Sequence, residues 1–200
     1  CEKAKISPIN PYANTKAVIE KLLKDIFNKN KEKWKIISLR YFNPIGAHPS
    51  GLIGESTKGF PNNLFPVILK VASGFEKKLK IYGRDWNTID GSGVRDYIHV
   101  MDVADAHCKA LDNLLNNPPK ISFLNIGTGK GTSVIQLKDI FQKVNSCEVP
   151  FSFEKRRSGD VACIIADNKL SIEKLKWRPK RNIEEMCSDG WRWYCDNSIV

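Results

Sequence analysis

Residues 15–30 place Val18, Ile19, Leu22, Leu23, Ile26 and Phe27 at the i, i+3, i+4, i+7, i+8 spacing of one helix face, with lysines between them. The next apolar run, Trp34-Lys35-Ile36-Ile37-Ser38-Leu39-Arg40-Tyr41-Phe42, reads as a largely buried strand. A helix that leads straight into such a strand points to a parallel-sheet α/β unit. This pairing constrains the fold more than any other feature of the chain.

The rest of the sequence fits that frame. Residues 43–62 are rich in Gly, Pro, Asn and Ser and read as a long loop. Loops of that length inside a compact domain usually carry function. A helix is expected over 63–74, with Gly74 as its C-cap, then a strand at 79–82 and a Gly/Asp-rich loop at 83–93. Residues 94–100 look extended, and Asp102 is expected to cap a helix over 103–115. A strand at 121–126 runs into Gly127-Thr128-Gly129-Lys130-Gly131. Helix 133–144, strand 149–153, a basic loop at 155–160 and helical pieces at 168–176 and 182–196 follow.

Composition removes several function classes. At 42% hydrophobic and 27% charged, the 200 residues have the apolar content that disordered chains lack. No uncharged apolar run approaches the roughly 18 residues of a transmembrane helix. The 32 basic residues exceed the 22 acidic ones, for a net charge of +10. The longest basic run, Asn28-Lys29-Asn30-Lys31-Glu32-Lys33, reads as a solvated surface rather than a nucleic-acid patch, since no recognised motif accompanies it. A basic chain still favours an anionic small ligand through its field. The six cysteines form no Cys-x-x-Cys pair and the three histidines are dispersed, so no metal site is expected. Reduced thiols imply the cytoplasm. The N-terminus has neither an apolar run nor a Met, so the chain is expected to begin inside a longer reading frame.

A few residues could carry chemistry. Tyr12 and Lys16 lie four apart where the helix begins and so share a face. A phenol is a poor base at neutral pH, but a nearby ammonium favours the phenolate, so Tyr-x-x-x-Lys is a workable proton shuttle. The spacing is also common by chance. Asn43 follows a strand, where open α/β sheets bind ligands, although a plain turn explains it equally. Gly127 to Gly131 matches neither the Walker nor the dinucleotide spacing, and a tight strand-to-helix turn explains it better. Arg95 and the Arg156-Arg157 pair are the better anion ligands, because guanidinium is a rigid fork of donors. Surface charge is the competing reading.

These pieces occur together in one order. The stretch Ser7 to Lys16 leads, followed by Leu39-Arg40-Tyr41-Phe42-Asn43-Pro44-Ile45-Gly46-Ala47-His48-Pro49-Ser50-Gly51. Next come Pro61-Asn62-Asn63-Leu64, Asp90 to Asp102, Asn125 to Gly129 and Arg156-Arg157-Ser158-Gly159-Asp160. In that order they resemble the C-terminal part of the UDP-glucose 4-epimerase family, within the extended short-chain dehydrogenase/reductase superfamily. The resemblance implies a fold of two parts. Residues 1–45 would be the tail of an NAD-binding Rossmann domain with a doubly wound parallel sheet. Residues 46–200 would form mainly a smaller α/β UDP-sugar domain, with 94–130 returning to the Rossmann sheet.

The resemblance also implies chemistry. A hydride passes from C4 of the hexose to NAD while a base takes the O4 proton; the keto sugar turns, and the hydride returns to the other face. UDP-glucose and UDP-galactose would be the partners, with no nucleic acid or membrane, and the intact protein would be a homodimer. Tyr12 would be the base and Lys16 its activator, both touching NAD, with a backbone contact from Phe42. Asn43, Asn63, Leu64, Lys80, Ile81, Tyr82, Arg95, Arg157, Ser158, Gly159 and Asp160 would hold the UDP-sugar. Ile164 would stand at a gatekeeper position, intermediate in size, leaving N-acetylhexosamine specificity open. UDP-N-acetylhexosamine or UDP-pentose epimerisation, or a non-enzymatic UDP-sugar module, are the alternatives. The family's glycine-rich dinucleotide loop and its catalytic Ser/Thr are not in these 200 residues. The chain alone is therefore expected to bind NAD poorly and turn over little, and to expose a sticky sheet edge.

Overall fold

The computed structural model describes residues 1–56, 59, 61 and 63–197, so Asn62 and part of the 43–62 loop lie outside the described residues. The first elements are α1 (Pro11–Lys29), β1 (Lys35–Tyr41), β2 (Asn43–Ile45), α2 (Leu64–Ala72), β3 (Leu79–Tyr82), β4 (Val94–Arg95) and β5 (Tyr97–His99). They are followed by α3 (Val100–Asn116), β6 (Lys120–Ile126), β7 (Thr132–Ser133) and α4 (Val134–Asn145). The chain closes with β8 (Phe151–Glu154), β9 (Cys163–Ile164), α5 (Lys169–Leu175) and α6 (Ile183–Asn197).

Helix α1 starts before the apolar spacing does. The Asn10 side chain accepts from the Ala13 N–H at 2.8 Å, and Pro11 needs no donor at the first helical position. Tyr12 therefore sits in the first turn. The apolar face is only partly used: Leu23, Ile26 and Phe27 are half-buried, while Val18, Ile19 and Leu22 remain exposed. A two-pronged Arg40–Glu20 ion pair, 2.6 Å at each prong, ties the helix to β1. That hydrogen bond also raises the Arg40 pKa.

The expected 34–42 strand forms, but it is not largely buried. Its interior residues are half-buried and both ends are exposed, because β6 flanks it and little covers its α1 side. β1 and β6 pair in parallel from Lys35 opposite Lys120 to Tyr41 opposite Ile126. The chain then changes partner. The Phe42 N–H still donates to the Ile126 carbonyl at 3.1 Å, but the Asn43 N–H donates to the Asp96 carbonyl at 3.0 Å. Asn43–Ile45, expected as loop, continues as β2 and pairs in parallel with β5. Pro44 does not prevent this, because its missing donor costs only one rung.

Two apolar clusters fill the interior. Ile98, Val103, Ala106, Leu124, Ile126, Leu175 and Trp177 pack beneath β6, α3 and α5. Phe65, Ile68, Leu79, Ile81, Leu137, Phe141 and Met186 join α2, β3, α4 and α6. β3 pairs in parallel with β8, and β4 lies between β7 and β9.

Helix α3 begins at Val100, three residues before the expected start, and its cap is His99 rather than Asp102. The His99 Nδ1 accepts from the Met101 N–H at 3.0 Å. The ring's other nitrogen, Nε2, therefore carries the hydrogen and donates to Asp189 Oδ2 of α6 at 3.2 Å. Asp102, fully buried, instead accepts from the Lys180 and Arg181 N–H groups at 3.0 Å each and from the Arg181 guanidinium at 2.6 Å. The 178–182 turn is thereby pinned to α3.

Gly127–Gly131 is a turn, and its donors are already engaged. The buried Asp96 carboxylate accepts from the Thr128 N–H (2.8 Å), the Thr128 hydroxyl (2.6 Å), the Gly129 N–H (2.9 Å) and the Ala166 N–H (3.1 Å). A Cβ on Gly127 would stand 2.7 Å from Asp96 Oδ2 and 2.6 Å from the Ala166 methyl. A phosphate would have to displace this carboxylate. The next helix starts on a capping box, with Ser133 and Gln136 satisfying each other's backbone donors.

Two outcomes are expected. Asp96→Asn keeps an acceptor but turns an amide donor towards other donors, so it should cost about 2–4 kcal/mol of stability, read by urea denaturation. Stability should also fall with pH through His99. Burial lowers its pKa, the Asp189 hydrogen bond opposes this, and Arg181 reinforces it, with Asp189 and Asp102 the carboxylates that face the ring. The unfolded histidine takes up its proton near pH 6.5, before the folded one does. The unfolded chain thus binds more protons in that window, and stability is full above about pH 6.5 and lost as pH falls through the folded pKa. The slope is at most about 1.4 kcal/mol per pH unit. His99→Gln should remove that part of the slope between pH 7.5 and 5.5.

Candidate functional site

A cavity of about 610 Å³ opens where β1 hands its partner from β6 to β5. Its walls come from separate stretches of chain. Tyr12 stands at one side, with Phe42 and Asn43 at the strand switch. Asn63 and Leu64 come from the start of α2, and Lys80, Ile81 and Tyr82 from β3. Arg95 lies on β4, and Arg157 and Asp160 come from the basic loop. Ligands of open parallel sheets bind at the carboxyl ends of strands, and β1, β3 and β8 all deliver their carboxyl ends here.

The carboxyl end of β3 is extended by one rung, with the Gly83 N–H donating to the Glu154 carbonyl at 2.9 Å. The loops that follow β3 and β8 therefore leave side by side. Arg157 lays its guanidinium 4.4 Å from the Tyr82 ring centre and donates to Asp160 at 3.1 Å. Gly159, at φ 81°, makes the turn between them. Arg95 donates to the Val94 carbonyl at 2.8 Å, which fixes its guanidinium at the wall.

Five residues singled out in the sequence, Arg156 among them, are not on the wall. Lys16 is one turn back on α1, its ammonium 5.2 Å from the Tyr12 ring centre. Ser158 and Gly159 form the tip of the 157–160 turn. Ile164 is exposed on β9, in register with Arg95. The Phe42 N–H is engaged by Ile126, so a backbone contact from this residue falls to its carbonyl.

Other wall residues went unread. Tyr97 lies two positions from Arg95, and the strand period of two puts both on one face. Burial pushes its phenol pKa far up, and the Arg95 charge offsets only part of that, so the hydroxyl stays neutral. Trp86 follows a strand end and a glycine, a place where a large aromatic has little core to enter. Glu55, Glu76 and Lys78 also face the cavity.

Among the described residues, no group of three or more His, Cys, Asp or Glu is arranged to hold a metal ion. No described helix is long and apolar enough to cross a membrane. Cys187 is buried in the core with its thiol pKa pushed up to about 12, which keeps it protonated.

A parallel α/β sheet with a partner switch, a cavity at that switch and a Tyr-x-x-x-Lys helix on its rim define a protein of the Rossmann-like α/β class. The model of the NAD dependent epimerase/dehydratase family matches residues 1–127, and the chain belongs to that family. Its sequence is 48% identical over 188 residues to the UDP-glucose 4-epimerase of Bacillus subtilis, covering 94% of this chain and 55% of that one. The fold superposes on the UDP-glucose-4-epimerase of Stenotrophomonas maltophila, crystallised with NAD and formylated UDP-arabinopyranose. There the TM-score is 0.94 and the identity 43%, covering 98% of this chain and 57% of that one. The Bifidobacterium longum enzyme, in complex with NAD+ and UDP, gives a TM-score of 0.89 at 39% identity, over 94% and 55%. The chain thus spans a little over half the length of these relatives.

Proposed function

We propose that the chain supplies the UDP-sugar cradle and the proton-transferring Tyr/Lys pair of an NAD-dependent UDP-glucose/UDP-galactose 4-epimerase. The observation that carries this is one cavity gathering Tyr12, Asn43, Arg95, Arg157 and Asp160 from distant parts of the sequence. Arg95 and Arg157 suit the two phosphates of UDP, because a guanidinium fork matches phosphate oxygens. Asp160, already held by Arg157, offers acceptors to ribose hydroxyls, and Tyr82 offers a ring face to a base. A grip on the UDP moiety leaves the hexose free to turn, as inversion at C4 requires.

The residues present fit one end of NAD. Tyr12 and Lys16 share a helix face at the cavity rim, and Phe42 offers its carbonyl at the strand switch. The Gly127–Gly131 turn has its donors taken by Asp96, so a phosphate there would have to displace that carboxylate. NAD held there would supply reversible hydride transfer at C4 of the hexose. Tyr12 takes and returns the O4 proton, while Lys16 holds a positive charge beside the Tyr12 ring.

For organisation, we propose that residues 1–45 complete the NAD-binding domain and that 46–200 form mainly the UDP-sugar domain, with 94–130 rejoining the former. The parallel β1–β6 ladder supports this division. The six free thiols support a reducing cytoplasm. The exposed Val18, Ile19 and Leu22 stripe on α1 is a surface in need of cover, which supports a homodimer of the intact protein.

The test is conversion of UDP-galactose to UDP-glucose with NAD+, by the chain alone and by the chain with the N-terminal half of an intact relative. Activity is expected on complementation only; failure in both mixtures would remove the catalytic reading. Tyr12→Phe should then lower turnover by about 10²–10⁴-fold while UDP affinity stays within about twofold. Arg157→Ala should weaken UDP binding by about tenfold or more, measured by calorimetry, through loss of a charge-assisted hydrogen bond.

A further inference from the structure

We propose that Arg156 is a positioning residue, the clasp that holds the 155–160 strap against the 83–86 loop and so sets Arg157 and Asp160 at the cavity. Arg156 is not itself on the cavity wall. Its Nε donates to Asp85 Oδ1 at 2.8 Å and a terminal nitrogen donates to the Asp85 carbonyl at 2.6 Å. The same guanidinium lies 3.9 Å from the centre of the Trp86 ring. One planar group thus forks onto a carboxylate and a carbonyl while stacking on an indole, a combination that lysine cannot reproduce.

The far side of the clasp is rigid. The Trp86 Nε1–H donates to the Tyr82 carbonyl at 3.3 Å, and its N–H donates to the Gly91 carbonyl at 3.1 Å. The indole also packs on Gly83, where a Cβ would stand 2.2 Å from Trp86 Nε1. The strap by itself is not rigid. The Glu154 carbonyl fastens one end to Gly83, and the Ala162 carbonyl, accepting from the Val94 N–H at 2.8 Å, fastens the other. Between these points, Arg156 makes the strap's only hydrogen bonds to another segment among the described residues; the Arg157–Asp160 bonds are internal to the strap. Arg157 adds its stack on Tyr82. Adjacent arginines then divide the work, one fastening the strap and the next facing the ligand. The Arg156 hydrogen bond also holds the Asp85 carboxyl below its ordinary pKa.

The ligand side of this inference rests on the UDP-sugar reading, and the experiment separates the two. UDP affinity is measured by calorimetry for the wild-type chain, Arg156→Ala, Arg156→Lys, Asp85→Ala and Lys155→Ala. Trypsin cleavage within residues 155–157 is followed for the wild type and Asp85→Ala, which keeps all three cleavage sites. Arg156→Ala and Asp85→Ala should weaken UDP at least tenfold at unchanged melting temperature, with Arg156→Lys recovering little. Lys155→Ala, which removes the same charge from the same strap, should change affinity less than twofold. Cleavage should run about tenfold faster in Asp85→Ala. Wild-type affinity in the two clasp variants overturns the proposal, and so does an equal loss in Lys155→Ala, which would make charge rather than geometry the cause. If the wild type itself takes up no UDP, the UDP-sugar reading falls, and the clasp stands or falls on the cleavage rate.

Discussion

The Asp96 carboxylate is the point on which the rest of the structure depends. It is fully buried between β4 and β5 and accepts hydrogen bonds from Thr128, Gly129 and Ala166, while its own carbonyl accepts from Asn43. A buried charge survives only when it is so surrounded. The consequence is topological. One residue ties the start of β2, the turn after β6 and the segment that leads into α5. With those fixed, β1 cannot continue beside β6 past Phe42, and the partner switch that opens the cavity is forced.

The second buried carboxylates act in the same way further down the chain. Asp102 and Asp189 join α3 to the 178–182 turn and to α6, with His99 between them as both helix cap and donor. The start of α3, the 178–182 turn and the middle of α6 thus rest on polar contacts as well as on apolar packing. Buried networks of this kind specify one arrangement, because any slip leaves a desolvated group without a partner.

The sequence made much of this legible, and the exceptions have physical causes. Periodicity revealed α1 and β1 because a helix face and a buried strand are local patterns. The glycine turn after β6 was recognisable as a turn from its wrong spacing, but nothing local says that Asp96, some thirty residues earlier, fills it. Asp102 looked like a cap because Asp is a good cap; the tertiary pull of the Lys180 and Arg181 amides placed it two residues inside the helix instead. β2 was hidden by Pro44 and by the loop-like composition around it, since its only reason to be extended is β5. The wall residues singled out in the sequence came from the family resemblance together with strand ends and arginine chemistry. Trp86 and Tyr97 were missed: one has no motif, and the other is visible only by counting two residues from Arg95.

The two halves of the candidate site are built to different standards within this chain. Arg95 and Tyr97 stand on strands whose registers are set by Asp96, and Arg157 and Asp160 hang on a strap fastened at both ends. Tyr12 lies 72% exposed in the first turn of a helix that buries no residue fully. A grip on phosphates works in partly wet surroundings, because charge-assisted hydrogen bonds tolerate some water. Proton transfer in step with a hydride does not, because it needs fixed dipoles and excluded solvent. The proposed grip on UDP is therefore carried by packing that these residues complete among themselves. The proposed proton transfer has no such support here, since α1 keeps Tyr12 and the Val18, Ile19 and Leu22 stripe exposed.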